Sequence, residues 1–121
     1  MRFLILFSSL LITASLLGAQ NRGAAPNAAP AGSAENGKKI FASYGCYQCH
    51  GFAGQGGAAG ARLAPRPIAF AAFSKYVRGP ADQMPPYTSK VVSDQELADI
   101  YAFLLTIPAP PAANTIPILA R

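Results

Sequence analysis

The chain of 121 residues has no tryptophan, one histidine, two cysteines and five acidic side chains. These scarcities exclude several kinds of stabilisation and chemistry. Two cysteines rule out a scaffold of several disulfides. One histidine and two cysteines fall short of the four ligands of a structural zinc site unless carboxylates complete it. No stretch alternates apolar and polar residues as a half-buried strand does, and nothing recurs at solenoid or propeller periods. The ten Lys and Arg residues give a net charge of +5. They are dispersed and accompany no base-reading motif, which argues against nucleic acid as a partner. Large apolar side chains are also few. The apolar fraction is 51%, yet 24 residues are alanine, and beyond position 19 nearly all the larger ones fall between Ile40 and Ile107. One small domain fits such a chain, and its core is thin for a free-standing fold. A staple of some other kind is needed.

The composition divides the chain into four parts. Residues 1–19 combine Arg2, an apolar run and a small-residue end at Gly18 and Ala19, the pattern of a cleavable export signal. That signal points to the periplasm of a bacterial envelope. The alternative is an uncleaved anchor, since the run sits at the short limit for spanning a bilayer. Residues 20–32 are rich in Asn, Gly, Ala and Pro and read as a flexible linker. Residues 33–108 form the expected folded unit. Residues 109–121 form a tail in which Pro110, Pro111 and Pro117 exclude a long helix.

The staple is legible at Cys46-Tyr47-Gln48-Cys49-His50, the C-x-x-C-H pattern of covalent haem attachment. Two thiols at this spacing can each add to a vinyl group on one haem edge, and the adjacent His50 is carried beneath the iron as an axial ligand. A thioredoxin-like pair would require a βαβ setting, which the helical and glycine-rich flanks do not supply. A simple disulfide here would close a very small loop and leave His50 unexplained. The second axial ligand is found by elimination. Met84, 34 residues beyond His50, is the one methionine outside the signal segment. Pro80, Pro85 and Pro86 hold its surroundings out of helix and stiffen them.

Three helices are expected. Residues 33–44 carry Ser33 as N-cap, Glu35 in the first turn, and Gly37, Ile40, Phe41 and Tyr44 on one face. The spacing predicts a second helix over 68–77, with Phe70, Phe73, Tyr76 and Val77 flanking a flat apolar ring. A third starts at the capping box Ser93-Asp94-Gln95-Glu96, carries Leu97, Ile100, Tyr101 and Leu104 on one face, and stops at Pro108. Gly37 inside a helix costs about 1 kcal/mol relative to alanine. The expected compensation is a bulky partner such as Tyr101 packed into the notch.

From about Ser33 to Ile107 these features together resemble the single-haem class I cytochrome c family, small bacterial type. The resemblance rests on the run from Cys46 to His50, the Met84-Pro85 pair, the first helix with Gly37 and Phe41, and the closing helix with Leu97, Ile100 and Tyr101. It implies an all-α, cytochrome c-like fold of three to four short helices and extended loops around one covalent haem c. It also implies thioethers at Cys46 and Cys49, and His50 and Met84 as axial ligands. One departure stands out. The family usually has Gly-Pro-x-Leu after the axial histidine, the proline carbonyl orienting the imidazole. Here Gly60-Ala61-Arg62-Leu63 has Ala61 in that place, whose carbonyl can still accept the bond.

With both axial positions filled, the expected function is transfer of single electrons between envelope redox partners: a dehydrogenase, a quinol-oxidising complex or a terminal oxidase. Such a chain is not an enzyme by itself. The alternatives are a haem subunit of a larger dehydrogenase or oxidase complex, and a haem peroxidase or gas sensor in which Met84 detaches. Arg62, Arg66, Lys75 and Arg78 either ring the exposed haem edge and steer an acidic partner, or form an ordinary solvated surface. Among Arg62, Arg66, Tyr76 and Tyr87, spacing does not select a propionate partner.

Overall fold

The computed structural model describes residues 28–119, so the expected signal segment 1–19, most of the linker 20–32 and the last two tail residues lie outside it. Among the described residues there are four α-helices, one short 3-10 turn and no strand, the all-α cytochrome c-like fold. The helices are α1 (Ala34–Ser43), α2 (Cys46–His50), α3 (Phe70–Arg78) and α4 (Asp94–Thr106).

Capping sets the outer helices. The Ser33 hydroxyl accepts from Asn36 N at 3.2 Å and opens α1, with Glu35 in the first turn. The Ser93 hydroxyl accepts from Glu96 N, and the Glu96 carboxylate accepts from Ser93 N at 2.8 Å. This reciprocal box opens α4. Ile107 turns extended before Pro108 and ends it. Helix α3 starts two residues later than the spacing predicts. The Ile68 carbonyl accepts from the Tyr101 hydroxyl at 3.1 Å, and the first helical turn closes from Phe73 N to the Ala69 carbonyl. Within the expected irregular tail, residues Ala113–Thr115 make one 3-10 turn, closed by the Thr115 hydroxyl on the Ala112 carbonyl at 2.7 Å.

Helices α1 and α4 cross in close contact. Ile40 and Phe41 of α1 share one buried cluster with Leu97, Ile100, Tyr101 and Leu104 of α4, and the Phe41 and Phe103 rings pack 5.6 Å apart. The notch at Gly37 is not filled by Tyr101 as the sequence suggested. A Cβ built on Gly37 would fall onto the Asp99 carbonyl, so the glycine is required by the α4 backbone itself. Tyr101 packs instead against Phe70 edge-on at 5.2 Å and against Phe73 at 5.3 Å, tying α3 to α4.

The same crossing buries a carboxylate. Asp99 is 5% exposed, and accepts from Ser33 N at 2.7 Å, Asn36 Nδ2 at 2.7 Å and Gln95 Nε2 at 3.0 Å. The Asn36 amide, followed by Ser33 N–H and Gln95, holds its carboxyl below the usual range. One side chain thereby satisfies the start of α1 and fastens it to α4.

Two outcomes follow from this crossing. Gly37→Ala should lower stability by about 2 kcal/mol despite alanine's better helix propensity, because the backbones must separate; a denaturant melt measures it. Asp99→Asn should cost on the order of 1–3 kcal/mol at neutral pH, since its amide cannot accept from three donors. The sign with pH is fixed by the lowered folded pKa. The Asp99 contribution is complete above the ordinary carboxylate pKa of about 4 and is lost as pH falls through the folded value. The stability gap between wild type and Asp99→Asn should therefore narrow in acid, and a gap constant from pH 7 to pH 3 would contradict this assignment.

Candidate functional site

A cavity of about 680 Å³ opens between α1, α3, α4 and the two long loops. The structure places Cys46, Cys49, His50 and Met84 all on its wall. Three arrive together, because α2 carries them within five consecutive residues directly after α1 and a two-residue turn. Cys46 is half-buried and Cys49 exposed, and both are free thiols. Burial pushes the Cys46 thiol above its ordinary pKa, with the Cys49 charge a lesser cause in the same direction. Phe41, Leu63, Phe73, Val77, Leu97 and Ile100 provide much of the remaining apolar wall.

The orientation of His50 is fixed by loop 51–64. Its Nδ1 lies 2.7 Å from the Ala61 carbonyl. A carbonyl can only accept, so Nδ1 carries the proton and Nε2 keeps its lone pair free for a metal. The replacement of proline by Ala61 has thus not removed this contact. Nor is the glycine-rich loop slack. Gly56 N donates to the His50 carbonyl at 2.8 Å, Gly57 N to the Gly60 carbonyl at 3.0 Å, and Leu63 N and Ala64 N to the Gly54 carbonyl at 2.8 and 2.9 Å. Gly60 lies so close to α2 that an added Cβ would sit 2.7 Å from the Cys49 carbonyl oxygen. The family resemblance brings the Ala61 carbonyl to His50, but it does not show the backbone bonds that brace this stretch.

Met84 is half-buried and packs against the core cluster from loop 79–87. The four basic residues proposed as a ring divide. Arg62 and Arg66 line the cavity, Arg66 from a left-handed backbone with φ 37°. Lys75 is exposed on α3 and is not among the lining residues. Arg78 points elsewhere, donating to the Tyr87 and Val92 carbonyls and to Asp94. Of the tyrosines considered, Tyr76 and Tyr87 both reach the cavity wall, but their hydroxyls donate to Asp82 at 3.3 Å and to the Tyr44 carbonyl at 3.2 Å. Tyr47 stacks on the exposed ring of Phe52, with centroids 4.6 Å apart.

This arrangement fits a haem c. The cavity size suits a cofactor of that class, its wall is largely apolar, and its polar donors are the two thiols, an imidazole held in the metal-binding tautomer and a thioether. Cys46 and Cys49 would hold the ring covalently, and His50 and Met84 are the residues that could ligate its iron.

Comparison with known proteins identifies a family for the chain. Residues 32–104, more than half of the chain, match the family model described as cytochrome c oxidase, cbb3-type, subunit III. Among curated proteins and among solved structures no match was found.

The bracing of loop 51–64 predicts a graded glycine series. Gly60→Ala should cost about 1–3 kcal/mol, because the new methyl meets backbone that cannot yield. Gly57→Ala, whose Cβ would stand 3.2 Å from the same Cys49 oxygen, should cost less. Gly79→Ala meets nothing within 4 Å and should stay within about 0.5 kcal/mol of wild type. Thermal melts of the three variants check the order.

Proposed function

The chain belongs to the family of cbb3-type cytochrome c oxidase subunit III, and from that membership we propose that it carries single electrons through one covalent haem c ligated by His50 and Met84. A cytochrome c domain serves haem-based electron transfer. The observation that carries the finer reading is the convergence of Cys46, Cys49, an oriented His50 and Met84 on one cavity.

Haem c, when bound, supplies a one-electron iron couple. The work left to the polypeptide is to hold and to shield. Cys46 and Cys49 anchor one edge, so that the cofactor cannot dissociate. The Ala61 carbonyl keeps the His50 ring in register and increases its donor strength. Met84 presents a soft donor that favours the reduced ion and raises the potential. Phe41, Leu97 and Ile100 exclude water from the interior side. With His50 and Met84 both committed to the iron, no coordination site would remain for a substrate, and the domain would serve electron transfer rather than catalysis.

Such a domain works outside the cytoplasm. We place it in the periplasm, released by cleavage after Ala19 or held by an uncleaved N-terminal segment. Among the described residues no helix is long and apolar enough to cross a membrane. Its partners are other redox proteins: a dehydrogenase, a quinol-oxidising complex or a terminal oxidase. The family description favours one alternative in particular, a haem subunit of an oxidase complex. Co-purification of oxidase subunits with the tagged chain from envelope extracts supports that alternative, whereas isolation of the chain alone supports a free carrier.

Expression with haem-attachment machinery should yield a chain whose intact mass includes one haem. The ferric protein should be low-spin with a sulfur-to-iron charge-transfer band. Met84→Ala should keep the haem, lose that band and lower the potential. His50→Ala should impair assembly of the haem-loaded protein. An unchanged spectrum in Met84→Ala would remove the sulfur from the site.

A further inference from the structure

Loop 79–87 leaves the end of α3 and returns beside it. Its entry is closed by Gly79 N on the Lys75 carbonyl at 3.1 Å, and its exit by Tyr87 N on the Val77 carbonyl at 3.0 Å. Between these points Ala81, Asp82, Gln83, Pro85 and Pro86 are exposed, and Met84 alone among the residues from 81 to 86 is half-buried. Three prolines stiffen the segment, but stiffness does not fix where a loop stands relative to the cavity. Something must tie its ends to the rest of the domain.

Beside the Tyr87 hydroxyl, which donates to the Tyr44 carbonyl at 3.2 Å, the most extensive tie runs through the Arg78 side chain. The Arg78 guanidinium donates from Nη1 to the Tyr87 carbonyl at 2.8 Å and to the Val92 carbonyl at 2.6 Å, and from Nη2 to Asp94 Oδ1 at 2.6 Å. Arg78 thus joins the last turn of α3, the exit of the loop, the segment before α4 and the first residue of α4. Its side chain is 22% exposed and that of Asp94 87% exposed. The solvated ion pair with Asp94 contributes little, whereas the two carbonyl bonds lie in partly buried surroundings and carry most of the restraint. A planar guanidinium can span three acceptors in one rotamer. An ammonium is a point donor and cannot reproduce that fork.

We propose that Arg78 is a positioning residue for Met84: by clamping the exit of loop 79–87 to the start of α4, it sets how readily the thioether leaves the iron and a competing ligand takes its place. This inference rests on the proposed ligation by Met84. Loosening the clamp increases the fraction of molecules in which the sulfur is off the metal, and the apparent affinity for an external ligand rises in proportion to that fraction. The helix crossing at Gly37, the Asp99 fastening and the His50 to Ala61 bond involve none of these atoms. The effect is therefore confined to the methionine side.

The test is an imidazole titration of the ferric, haem-loaded protein at neutral pH, with the charge-transfer band and the reduction potential followed in parallel. Arg78→Gln should bind imidazole about tenfold more tightly than wild type, weaken the band and lower the potential. Arg78→Lys should recover only part of this difference. Asp94→Asn should stay within about twofold of wild type. A role in stability alone would lower the melting temperature of Arg78→Gln and Arg78→Lys but leave the imidazole affinity of the folded proteins unchanged, and that result would overturn the proposal. Where Arg78→Gln does not accumulate with haem, Arg78→Lys decides. Failure of the underlying reading looks different: the wild-type protein would lack the charge-transfer band, or Met84→Ala would retain it.

Discussion

The two helical walls that face each other across the cavity are set by the crossing of α1 and α4, where the Asp99 carbonyl occupies the space of a missing Gly37 side chain. A contact between backbones leaves little freedom in the angle or offset of the two helices. Phe41 on one helix and Leu97 and Ile100 on the other are consequently brought to the same apolar wall. Because only Tyr44 and Gly45 separate α1 from Cys46, the same contact also determines where the attachment run begins. Van der Waals contact alone would let α1 slide along α4. The Asp99 carboxylate resists that movement, since Ser33 N, Asn36 Nδ2 and Gln95 Nε2 define a single position for it. In a domain with so few large hydrophobes, one buried and fully paired carboxylate is a comparatively strong source of register.

Much of this was legible in the sequence where the relevant physics is local. The Ser33 cap, the Ser93 and Glu96 box, the stop at Pro108 and the C-x-x-C-H run each depend on residues within a few positions of one another. Their elements appear where expected to within one or two residues. The convergence of Met84 on the same cavity as His50 follows from having few candidates rather than from any pattern. The parts that escaped are long-range. Asp99 reads as an ordinary solvent-facing residue of an amphipathic helix, because its partners Ser33 and Asn36 lie 66 and 63 positions away. The apolar face of α4 is also broader than one stripe, with Ala98 and Phe103 buried beside the expected residues. Gly37 is legible as a notch, but sequence cannot distinguish a side chain such as Tyr101 from a backbone as the occupant. Arg78 reads as part of the cationic surface for a similar reason: two of its three acceptors are main-chain carbonyls, which have no signature in residue type.

The electrostatic picture changes with that reassignment. Two arginines, Arg62 and Arg66, border the cavity, and neither is ion-paired among the described residues. Lys75 stands apart on the exposed surface of α3, and the Arg78 charge is committed to the loop and to Asp94. Attraction of an acidic partner toward the cavity mouth would therefore come from the 62–66 segment rather than from a ring of four cations. Propionate groups of a bound haem would compete for the same two guanidinium groups. With those groups engaged, the steering field near the site would be weaker than the overall charge of +5 suggests.

The two proposed axial donors are supported unequally, and this shapes what the domain can do. His50 is held from one side by covalent attachment at the adjacent Cys49 in the proposed holoprotein, and from the other by a loop with four internal backbone bonds. Met84 has no such redundancy. It lies in a segment whose neighbours are mostly exposed, fixed by proline stiffness, backbone closure at either end, the Arg78 fork and the Tyr87 hydroxyl on Tyr44. Losing the sulfur would disturb none of the bonds that hold α1, α4 or loop 51–64. If His50 and Met84 hold the iron as proposed, release of Met84 would leave those bonds in place, whereas release of His50 would disturb the loop that lines the cavity. On that proposal, electron carrier and ligand-binding haem protein would differ chiefly in how firmly loop 79–87 holds Met84.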